Sequence, residues 1–410
     1  MLPVYLAAGL VYLLFIPEQL HVRIGGLYFP PYRFLLIPAA LYLFAGGLRG
    51  HLKFVWPDYF VIFAAAWIWL ASYMTSGSLA SGAIQGGAHT VDIALAYFLA
   101  RLTIQTPRDL RIFLILIAPG VALMGALVMQ ESVTHVRFLQ PLASELTGAP
   151  NPLRDDIRLG LMRGAAAFPH PILAGIFLAS FLPLYLMAGL RGWPKIVGIL
   201  AALGGAFSMS SAALLGLLVG GLLYLYDWTT MRIGNFNWRL FLFLAAVTYL
   251  TVELLSNSSF YDLLIRYASL NNASAYNRVL IWQYGTENIA RNPWFGIGYA
   301  DWDRPSWMHS DSFDHFWLIM ALRFGMPASF SLIVVTLAGV ILLAIRSQKL
   351  PPLDAQLYRG VSISLAVFAL GVISVSLWLS ALVWFCMLLG IAVSLGASSD
   401  NCSDEAIRQT

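Results

Sequence analysis

Long apolar segments recur along the whole chain of 410 residues and limit the folds that it can adopt. Runs of about 18 or more apolar residues are long enough to cross the hydrocarbon core of a bilayer as helices. The chain is 59% hydrophobic and 11% charged, with a mean hydropathy of +0.75, whereas soluble domains are about 45–50% apolar. Because the runs are continuous and do not alternate with a period of two, we exclude a β-barrel. The sequence therefore predicts an all-α polytopic membrane protein.

The hydropathy pattern predicts about twelve transmembrane helices in a single polytopic domain that covers residues 1–410. Their approximate ranges are 2–17, 32–48, 59–79, 88–105, 110–130, 170–190, 194–209, 211–227, 238–256, 314–345, 357–378 and 380–397. The segments 194–209 and 211–227 could also form one bent helix, because the residues between them are only weakly polar. The first segment is expected to remain as a helix, since it lacks the features of a cleaved signal peptide.

Lysine and arginine residues in the short loops predict the orientation of the chain, because they concentrate on the cytoplasmic side. They follow the second, fourth, sixth, eighth and tenth spans: Arg49, Lys53, Arg101, Arg108, Arg111, Arg191, Lys195, Arg232, Arg239, Arg346, Lys349 and Arg359. Both termini are therefore expected in the cytoplasm, with residues 398–410 as a cytoplasmic tail. The two longest loops, 131–169 and 256–313, are then external. The net charge of +4 fits this bias, so we expect no nucleic acid partner.

Four ionisable side chains fall within or at the ends of predicted spans, where charge is costly and therefore informative. They are His89 and Asp92 in the fourth span, Glu131 at the end of the fifth and Glu253 near the end of the ninth. All four lie toward the outer side, which predicts a water-filled cavity beneath the external loops. Isolated polar pairs between helices are the alternative. Arg101, on the inner side, is interpreted as a residue at the membrane interface.

The external loop 256–313 is too polar to cross the membrane and is rich in reactive groups. Its main charged and indole side chains are Arg266, Arg278, Arg291, Arg304, Asp301, Asp303, Asp311, His309, Trp282, Trp294, Trp302 and Trp307. Arginine binds phosphate oxygens bidentately, aromatic rings pack on sugars, and carboxylates or imidazoles deprotonate hydroxyl groups. The alternative is a loop whose aromatic residues form an interfacial belt and whose charges make surface pairs.

Part of this loop is expected to be helical and to lie near the membrane. The residues from Ala273 to Ile289 have a helical pattern, which Asn292 and Pro293 end. One face of this helix would carry Tyr276, Val279, Leu280 and Gln283. The following Gly296 and Gly298 predict a turn in which the backbone approaches a partner closely.

Four segments, taken in order, carry a resemblance to a known family. They are RGAAAFPHPILAGIFLASFLPL from Arg163, NRVLIW from Asn277, NPWFGIGYADW from Asn292 and HSDSFDHFWLIMALRFGMPAS from His309. Their order, the spacing of the spans and the long loop before the tenth span resemble the bacterial O-antigen ligase and polymerase family. The resemblance covers most of the chain from about residue 160 to residue 345.

The resemblance implies a glycosyltransferase of GT-C-like architecture in the bacterial inner membrane, with its active site facing the periplasm. Such enzymes take a glycan from undecaprenyl diphosphate and join it to a sugar acceptor, without a metal or other cofactor. The implied partners are an undecaprenyl-diphosphate-linked oligosaccharide, a polysaccharide or lipid A-core acceptor, membrane lipid and a chain-length regulator. Residues 256–313 would then be the external catalytic loop.

The resemblance also implies roles for individual residues. Arg278 and Arg163 would bind the donor diphosphate, and His170 with Pro171 would shape the entrance of its helix. The candidate site residues are, for catalysis, Asp314, His309 and His315; for diphosphate, Arg278, Arg163, Arg266 and Arg323; for glycan contact, Trp282, Trp294, Trp302, Trp307 and Tyr299; and for the cavity, His89, Asp92, Glu253 and His170.

This sequence departs from the family pattern at three places. Asp314 and His315 stand where the family has His-Asn, so the base that deprotonates the acceptor is Asp314, His309 or His315. The Ser-Arg-Gly-Ala segment at the start of the eighth span is Ser-Ser-Ala-Ala at residues 210–213, so one arginine is missing or is replaced by Arg266 or Arg323. The third departure is at residues 323–325, which read Arg-Phe-Gly where Glu-x-Gly is usual.

Three functions fit these features. Polymerisation of lipid-linked polysaccharide repeat units is favoured over ligation to lipid A-core, because of the missing arginine and of Asp314. A secondary transporter also fits twelve spans with charges on the outer side. Against it, the halves show no internal repeat, and the longest loop lies off-centre between the ninth and tenth spans. A transporter would also place its ionisable residues near the midplane and not in a loop.

Overall fold

The computed structural model describes residues 2–24, 27–42, 44–45, 53–151, 153–233, 237–255, 272–308 and 312–397, except for the side chains of residues 79 and 272–274. Within these residues the chain is mostly helical. The helices are α1 (Leu2–Leu13), α2 (Arg33–Tyr42), α3 (Trp56–Thr75), α4 (Leu79–Thr90), α5 (Ala96–Thr103), α6 (Pro107–Thr134), α7 (Leu139–Thr147), α8 (Pro171–Met187), α9 (Trp193–Gly204), α10 (Ser211–Thr230), α11 (Trp238–Leu255), α12 (Asn272–Arg291), α13 (Phe316–Phe324), α14 (Met326–Ser347), α15 (Pro352–Gly371) and α16 (Leu379–Ala397). Two antiparallel hairpins pair β1 (Val22–Ile24) with β2 (Leu27–Phe29) and β3 (Ile157–Arg158) with β4 (Leu161–Met162).

Seven of the described helices are long and apolar enough to cross a membrane, namely α3, α6, α10, α11, α14, α15 and α16. The shorter apolar helices α1, α2, α8 and α9 accompany them. A π-helical turn at Val91–Leu95 joins α4 to α5 in one continuous helical segment. The prediction of a multi-pass all-α membrane protein is confirmed, while twelve spans and their orientation stay predictions.

Helices α8 and α16 form the centre of the bundle. Helix α8 packs against α9, α10 and α15, and α16 packs against α5, α14 and α15. Nearly every residue of both helices is buried. The indole Nε1 of Trp384 donates to Ser180 Oγ at 2.9 Å, and the hydroxyl of Ser364 donates to the carbonyl of Ser180 at 2.6 Å. Helix α11 has no buried residue and so lies at the periphery.

Two charged residues for which the sequence predicted other environments are held in buried ion pairs. Asp92 is buried and accepts hydrogen bonds from Arg33 Nε at 2.8 Å and Arg33 Nη2 at 2.7 Å, so it does not line a cavity. Arg101 is buried as well and pairs with Asp58 at 3.0 and 3.2 Å, so it is not an interface residue. Because a charge removed from water needs a partner, both pairs serve to join neighbouring helices.

The segment 314–345 is not the single helix that the sequence predicts. Gly325 separates α13 from α14 with φ +85° and ψ 163°. Helix α13 has 9 residues and is about 14 Å long, too short to cross a bilayer. Helix α14 has 22 residues and reaches about 33 Å. Helix α13 is therefore a separate element that ends against the loop before it.

Replacing Gly325 by alanine is expected to lower the free energy of unfolding by at least about 2 kcal/mol. Its φ of +85° is strained for alanine, and a Cβ there would collide with the carbonyl of Trp294. Gly221→Ala is the matched control, because a Cβ at Gly221 meets open space and alanine favours a helix. Thermal melting of both variants in detergent measures the difference. Equal melting temperatures for the two variants would show that the break does not depend on glycine.

The segments 194–209 and 211–227 form two helices and not one bent helix. Helix α9 ends in a 3₁₀ turn at Gly205–Ser208, and Met209 then adopts φ +46°. This left-handed residue reverses the chain before α10 begins at Ser211. The carbonyl groups of the reversal face the β3–β4 hairpin, which lies in the first of the two long loops.

Candidate functional site

Helix α12 supplies one wall of the candidate site. Its range of Asn272–Arg291 confirms the predicted helix at 273–289. The residues assigned to one face do not share one environment, since Tyr276 and Gln283 are exposed and Leu280 is buried, while Arg278, Ile281 and Gly285 also face inward. Arg278 is therefore a buried side chain, 7% exposed, which makes a solvated surface role for it untenable.

The glycine-containing turn after α12 holds α13 by its C-terminal end. The backbone N–H of Ile297 donates to Leu322 O at 2.8 Å, and that of Gly298 donates to Arg323 O at 3.0 Å. A Cβ on Gly296 would collide with the same Leu322 carbonyl, which explains the glycine. The predicted close approach of backbone is confirmed, and the partner is the end of α13. The opposite end of α13, with Asp314 and His315, remains available to the site.

The segment from Arg163 to His170 is held in place by backbone hydrogen bonds to buried side chains. Glu131 Oε2 accepts from the N–H groups of Ala165 at 2.8 Å and Ala166 at 3.0 Å. Gln140 Nε2 donates to the carbonyl of Ala166 at 3.2 Å. Glu131 thus positions this segment, which fixes where Arg163 and His170 lie.

Four predicted site residues come together from three parts of the chain. Burial lowers the pKa of Arg163, and the charges of Arg158 and Arg278 lower it further. Burial lowers the pKa of His170 to about 4, Arg163 adds to this shift, and Asp314 opposes it. Arg163 and His170 therefore lie within electrostatic reach of each other, with Arg278 within reach of Arg163 and Asp314 within reach of His170. A buried arginine pair beside a carboxylate is suited to bind a phosphate anion next to a proton acceptor.

Arg163 retains donors for an anion. Its Nη1 donates to Asp156 Oδ2 at 3.1 Å, and its side chain is 7% exposed. Its Nε and Nη2 have no hydrogen-bond partner among the described residues. Buried donors without a partner are costly, so a bound anion would offset this cost.

His170 and His315 each cap a helix. Nδ1 of His170 accepts from the N–H of Ile172 at 3.2 Å, and Nδ1 of His315 accepts from the N–H of Leu318 at 3.2 Å. Burial lowers the pKa of His315 to about 4, as it does for His170. Both imidazoles are therefore neutral at pH 7, with the proton on Nε2.

The protonation state of His315 makes it a poor candidate for the base that deprotonates the acceptor hydroxyl. A histidine whose Nδ1 accepts a backbone N–H and whose Nε2 is protonated donates a hydrogen bond and does not take up a proton. This argues against His315 as the base. Asp314 is partly exposed, and its Oδ1 accepts from the hydroxyl of Ser312 at 2.7 Å. His309 lies outside the described residues, as does Arg266.

Lowering the pH is expected to destabilise the fold through His170 and His315. Both pKa values are about 4 in the folded protein, against 6.5 for an ordinary histidine. Between pH 6.5 and 4 the unfolded chain therefore binds more protons, and the free energy of unfolding falls as the pH falls. Asparagine also caps helices but does not titrate. The double variant His170→Asn, His315→Asn should show a flatter melting temperature over this window, and an equally steep profile would contradict the assignment.

An apolar groove of about 950 Å³ begins beside the site and runs along α14. Its lining includes Trp282 and Thr286 of α12, His315 at the start of α13, and Leu337 and Val340 of α14. From Met326 to Val340 the groove follows α14 for about 20 Å. Phe330 and Leu337 are exposed apolar side chains of this membrane-spanning helix, so this wall of the groove faces lipid. The size and lining suit an apolar ligand.

Other predicted residues lie apart from this cluster. Arg323 is at the far end of α13, about 12 Å along the helix from His315, with its guanidinium 4.7 Å from the ring of Tyr299. The hydroxyl of Tyr299 lies 3.3 Å from Nδ1 of His89. Glu253 is exposed on the peripheral helix α11. Arg323, Tyr299 and His89 thus form a second polar group, and Arg323 does not replace the missing arginine at residues 210–213.

The predicted glycan-binding indoles differ in exposure. Trp302 is buried against Phe313, with ring centroids 5.1 Å apart, so it is a packing residue and not a sugar platform. Trp282 is partly exposed, and its ring lies 5.7 Å from that of His315. Trp294 and Trp307 are exposed. Trp282 is therefore the predicted indole that contacts His315, while Trp378, which the sequence did not single out, has its ring 6.3 Å from that of His170.

Sequence reasoning did not single out Arg158 and Asp156, which join the cluster. Arg158 Nη2 lies 3.4 Å from Asp156 Oδ2, the oxygen that Arg163 also contacts. The turn at Leu159 and Gly160, which have φ +52° and +79°, brings these side chains together. The glycine in this turn was the available sign of a hairpin. Among the described residues, no group of three or more His, Cys, Asp or Glu side chains could hold a metal ion.

The fold and these contacts define a multi-pass helical membrane protein with buried arginines and a lipid-facing apolar groove. Residues 196–332 match a family model described as O-Antigen ligase, and no curated protein matches the chain. The match spans α9 to the first part of α14 and includes Arg278, Asp314 and His315. The resemblance to the O-antigen ligase family is thereby confirmed, and it indicates a membrane glycosyltransferase of the ligase or polymerase type.

Proposed function

We propose that this protein takes a glycan from undecaprenyl diphosphate and joins it to a hydroxyl group of a sugar acceptor. The observation that carries this proposal is the combination of charges and groove: Arg278 acts on the buried Arg163, Arg163 and Asp314 both act on His170, and His315, next to Asp314, lines the apolar groove. An amphiphile with a long apolar chain and an anionic head matches such a groove and such a head site. The active site would face the periplasm, in the bacterial inner membrane.

Two residues that line the groove are close in sequence to the charged residues. Arg278 and Trp282 are four residues apart on α12 and so lie on the same side of the helix. Asp314 and His315 are neighbours in sequence, and His315 lines the groove. A polyprenyl chain in the groove would therefore bring its diphosphate to Arg278 and Arg163, and its first sugar to Asp314.

The proposed reaction is a single displacement at the anomeric carbon of the donor sugar. The acceptor oxygen forms a bond to this carbon, and the bond between the carbon and the diphosphate oxygen breaks. Asp314 takes the proton of the acceptor hydroxyl, and the diphosphate leaves with the electron pair. Arg163 and Arg278 stabilise the charge that develops on the leaving group, where stabilisation lowers the barrier most. No metal or cofactor takes part in this scheme.

We propose polymerisation of lipid-linked repeat units as the form of this reaction, with lipid-linked polysaccharide as acceptor. Asp314, where the family has histidine, supports this choice. The description of the matching family model favours the alternative, in which lipid A-core is the acceptor. A chain-length regulator would be a further partner of a polymerase.

Reconstitution of the purified protein with undecaprenyl-diphosphate-linked oligosaccharide from its own host tests the proposal. Gel electrophoresis and mass spectrometry of the products should show a ladder of lipid-linked repeats. Transfer only after addition of lipid A-core would identify a ligase. If the donor is recovered intact with either acceptor, glycan transfer is wrong, and uptake of the lipid-linked glycan into vesicles would then test the transporter.

A further inference from the structure

The β3–β4 hairpin contains an anion site that is occupied by a carboxylate of the chain itself. Asp156 Oδ2 lies 3.1 Å from Nη1 of Arg163 and 3.4 Å from Nη2 of Arg158. A single oxygen between two guanidinium groups is the arrangement that a phosphate oxygen adopts between arginines. The hairpin is therefore shaped for an anion that has more oxygens than one carboxylate offers.

The hairpin places these three side chains with little freedom. Arg158 pairs with Leu161 across the two strands, and the N–H of Arg163 donates to the carbonyl of Asp156 at 3.0 Å. Arg158 Nη1 also donates to the carbonyl of Met209 at 3.3 Å, directly before α10. This is the start of the helix at which residues 210–213 lack an arginine. Arg158 therefore brings a guanidinium to this position from a different part of the chain.

The balance of charge around the hairpin favours a stronger anion. Arg158, Arg163 and Arg278 are neighbours, and the charges of Arg158 and Arg278 both act on Arg163. Asp156 is the carboxylate that bridges Arg158 and Arg163. The side chain of Asp156 is 47% exposed, whereas that of Arg163 is 7% exposed. Asp156 can therefore turn out into water while the buried arginine stays in place.

We propose that Arg158 is a third ligand of the donor diphosphate and that Asp156 is an internal competitor for the same site. This inference rests on the proposed function. When the lipid diphosphate binds, its oxygens replace Asp156 between Arg158 and Arg163. After glycan transfer, Asp156 returns and helps to displace the undecaprenyl diphosphate, which would otherwise stay bound to three arginines.

The roles proposed for Arg158 and Asp156 predict that their substitutions change the affinity for a polyprenyl diphosphate in opposite directions. We would titrate farnesyl diphosphate, a short polyprenyl diphosphate, into the full-length protein in nanodiscs and follow binding by calorimetry. Arg158→Ala should weaken binding about tenfold or more, as for loss of a charge-assisted hydrogen bond. Asp156→Asn should strengthen binding about fivefold, as for removal of a competing, partly exposed ion pair. In glycan transfer, Asp156→Asn should lower kcat because product leaves more slowly.

The chain offers matched controls on the same loop. Arg154 is exposed, and Arg154→Ala removes the same charge from the same segment. Asp155 pairs with Arg137 at 3.4 Å and is 79% exposed, so Asp155→Asn matches Asp156→Asn. Both controls should bind farnesyl diphosphate within about twofold of the wild type. Arg158→Lys retains the positive charge but lacks the paired N–H donors of the guanidinium. If Arg158→Lys binds better than Arg158→Ala, the weak binding of Arg158→Ala reflects its lost charge and not a lost fold.

The outcomes separate this inference from the proposed function. If Arg158→Ala and Asp156→Asn bind like the wild type while Arg163→Ala and Arg278→Ala lose binding, the hairpin proposal is wrong and the proposed function stands. If Arg163→Ala and Arg278→Ala also bind like the wild type, the anion site itself is wrong. Weakened binding in Asp156→Asn would overturn the role of Asp156 as a competitor.

Discussion

Replacing Arg278 by alanine is expected to slow glycan transfer by about 100- to 1000-fold, the usual cost of removing one preorganised group that stabilises a departing anion. Arg278 is buried, its charge acts on Arg163, and it lies one helical turn before Trp282, which lines the groove. The effect should fall mainly on kcat, because the charge on the diphosphate grows as the bond to the sugar breaks. Single-turnover transfer from the lipid-linked donor in liposomes measures it.

Arg291→Ala provides the control on the same helix. Arg291 ends α12, is exposed and pairs with the exposed Asp303 at 2.5 Å. Exposed ion pairs contribute about 0–1 kcal/mol, so this variant should transfer glycan at nearly the wild-type rate. Equal losses in Arg278→Ala and Arg291→Ala would mean that the helix needs charge in general, and the assignment of Arg278 would fail. Unchanged melting of Arg278→Ala shows that the loss is not one of folding.

The helical framework could be predicted because it depends on local composition. Apolar runs of sufficient length must form helices in lipid, since each backbone N–H and C=O group needs a partner there. The helix α12 was also predictable, because Asn292 and Pro293 end it. Its buried face was not, because Arg278 replaces the apolar residue that a hydrophobic pattern requires. A buried arginine looks the same in sequence as a solvated one.

The break at Gly325 could not be located from hydropathy. The segment 314–345 is apolar on both sides of the glycine, so its composition resembles one long helix. The break depends on the contact of Gly325 with the carbonyl of Trp294, which comes from the loop before α13. Such a contact between residues distant in sequence leaves no periodic pattern.

Some of the charged residues of the site could be identified from the sequence, and others could not. The resemblance of motifs selected Arg163, His170, Arg278 and Asp314, and in the structure Arg278 acts on Arg163 while Arg163 and Asp314 act on His170. It could not select Arg158, because Arg158 lies outside the four segments that carry the resemblance. It also could not show that Asp92 is held by Arg33, since the partner of a buried charge is set by packing. Sequence motifs identify residue types, and tertiary contacts decide which charges remain available.

Replacing Asp314 by asparagine is expected to slow glycan transfer by about 100- to 10,000-fold, the usual contribution of a general base. Asparagine keeps an oxygen that can accept from the hydroxyl of Ser312 but cannot take up the proton of the acceptor. Binding of the lipid-linked donor should remain, because Arg163 and Arg278 are unchanged. The measurement is single-turnover transfer together with donor binding for the same preparation.

Two further variants decide between the candidate bases. His315→Asn keeps the helix cap and removes the imidazole, and it should transfer glycan within a few-fold of the wild type, because Nδ1 of His315 is already engaged by Leu318. Asp301→Asn is the surface control, since Asp301 is exposed and pairs with Arg304. If Asp314→Asn keeps more than a tenth of the wild-type rate while His309→Gln loses transfer, His309 is the base. In that case Asp314 would act through its charge on His170, and its loss would change the pH profile of transfer and not its maximum.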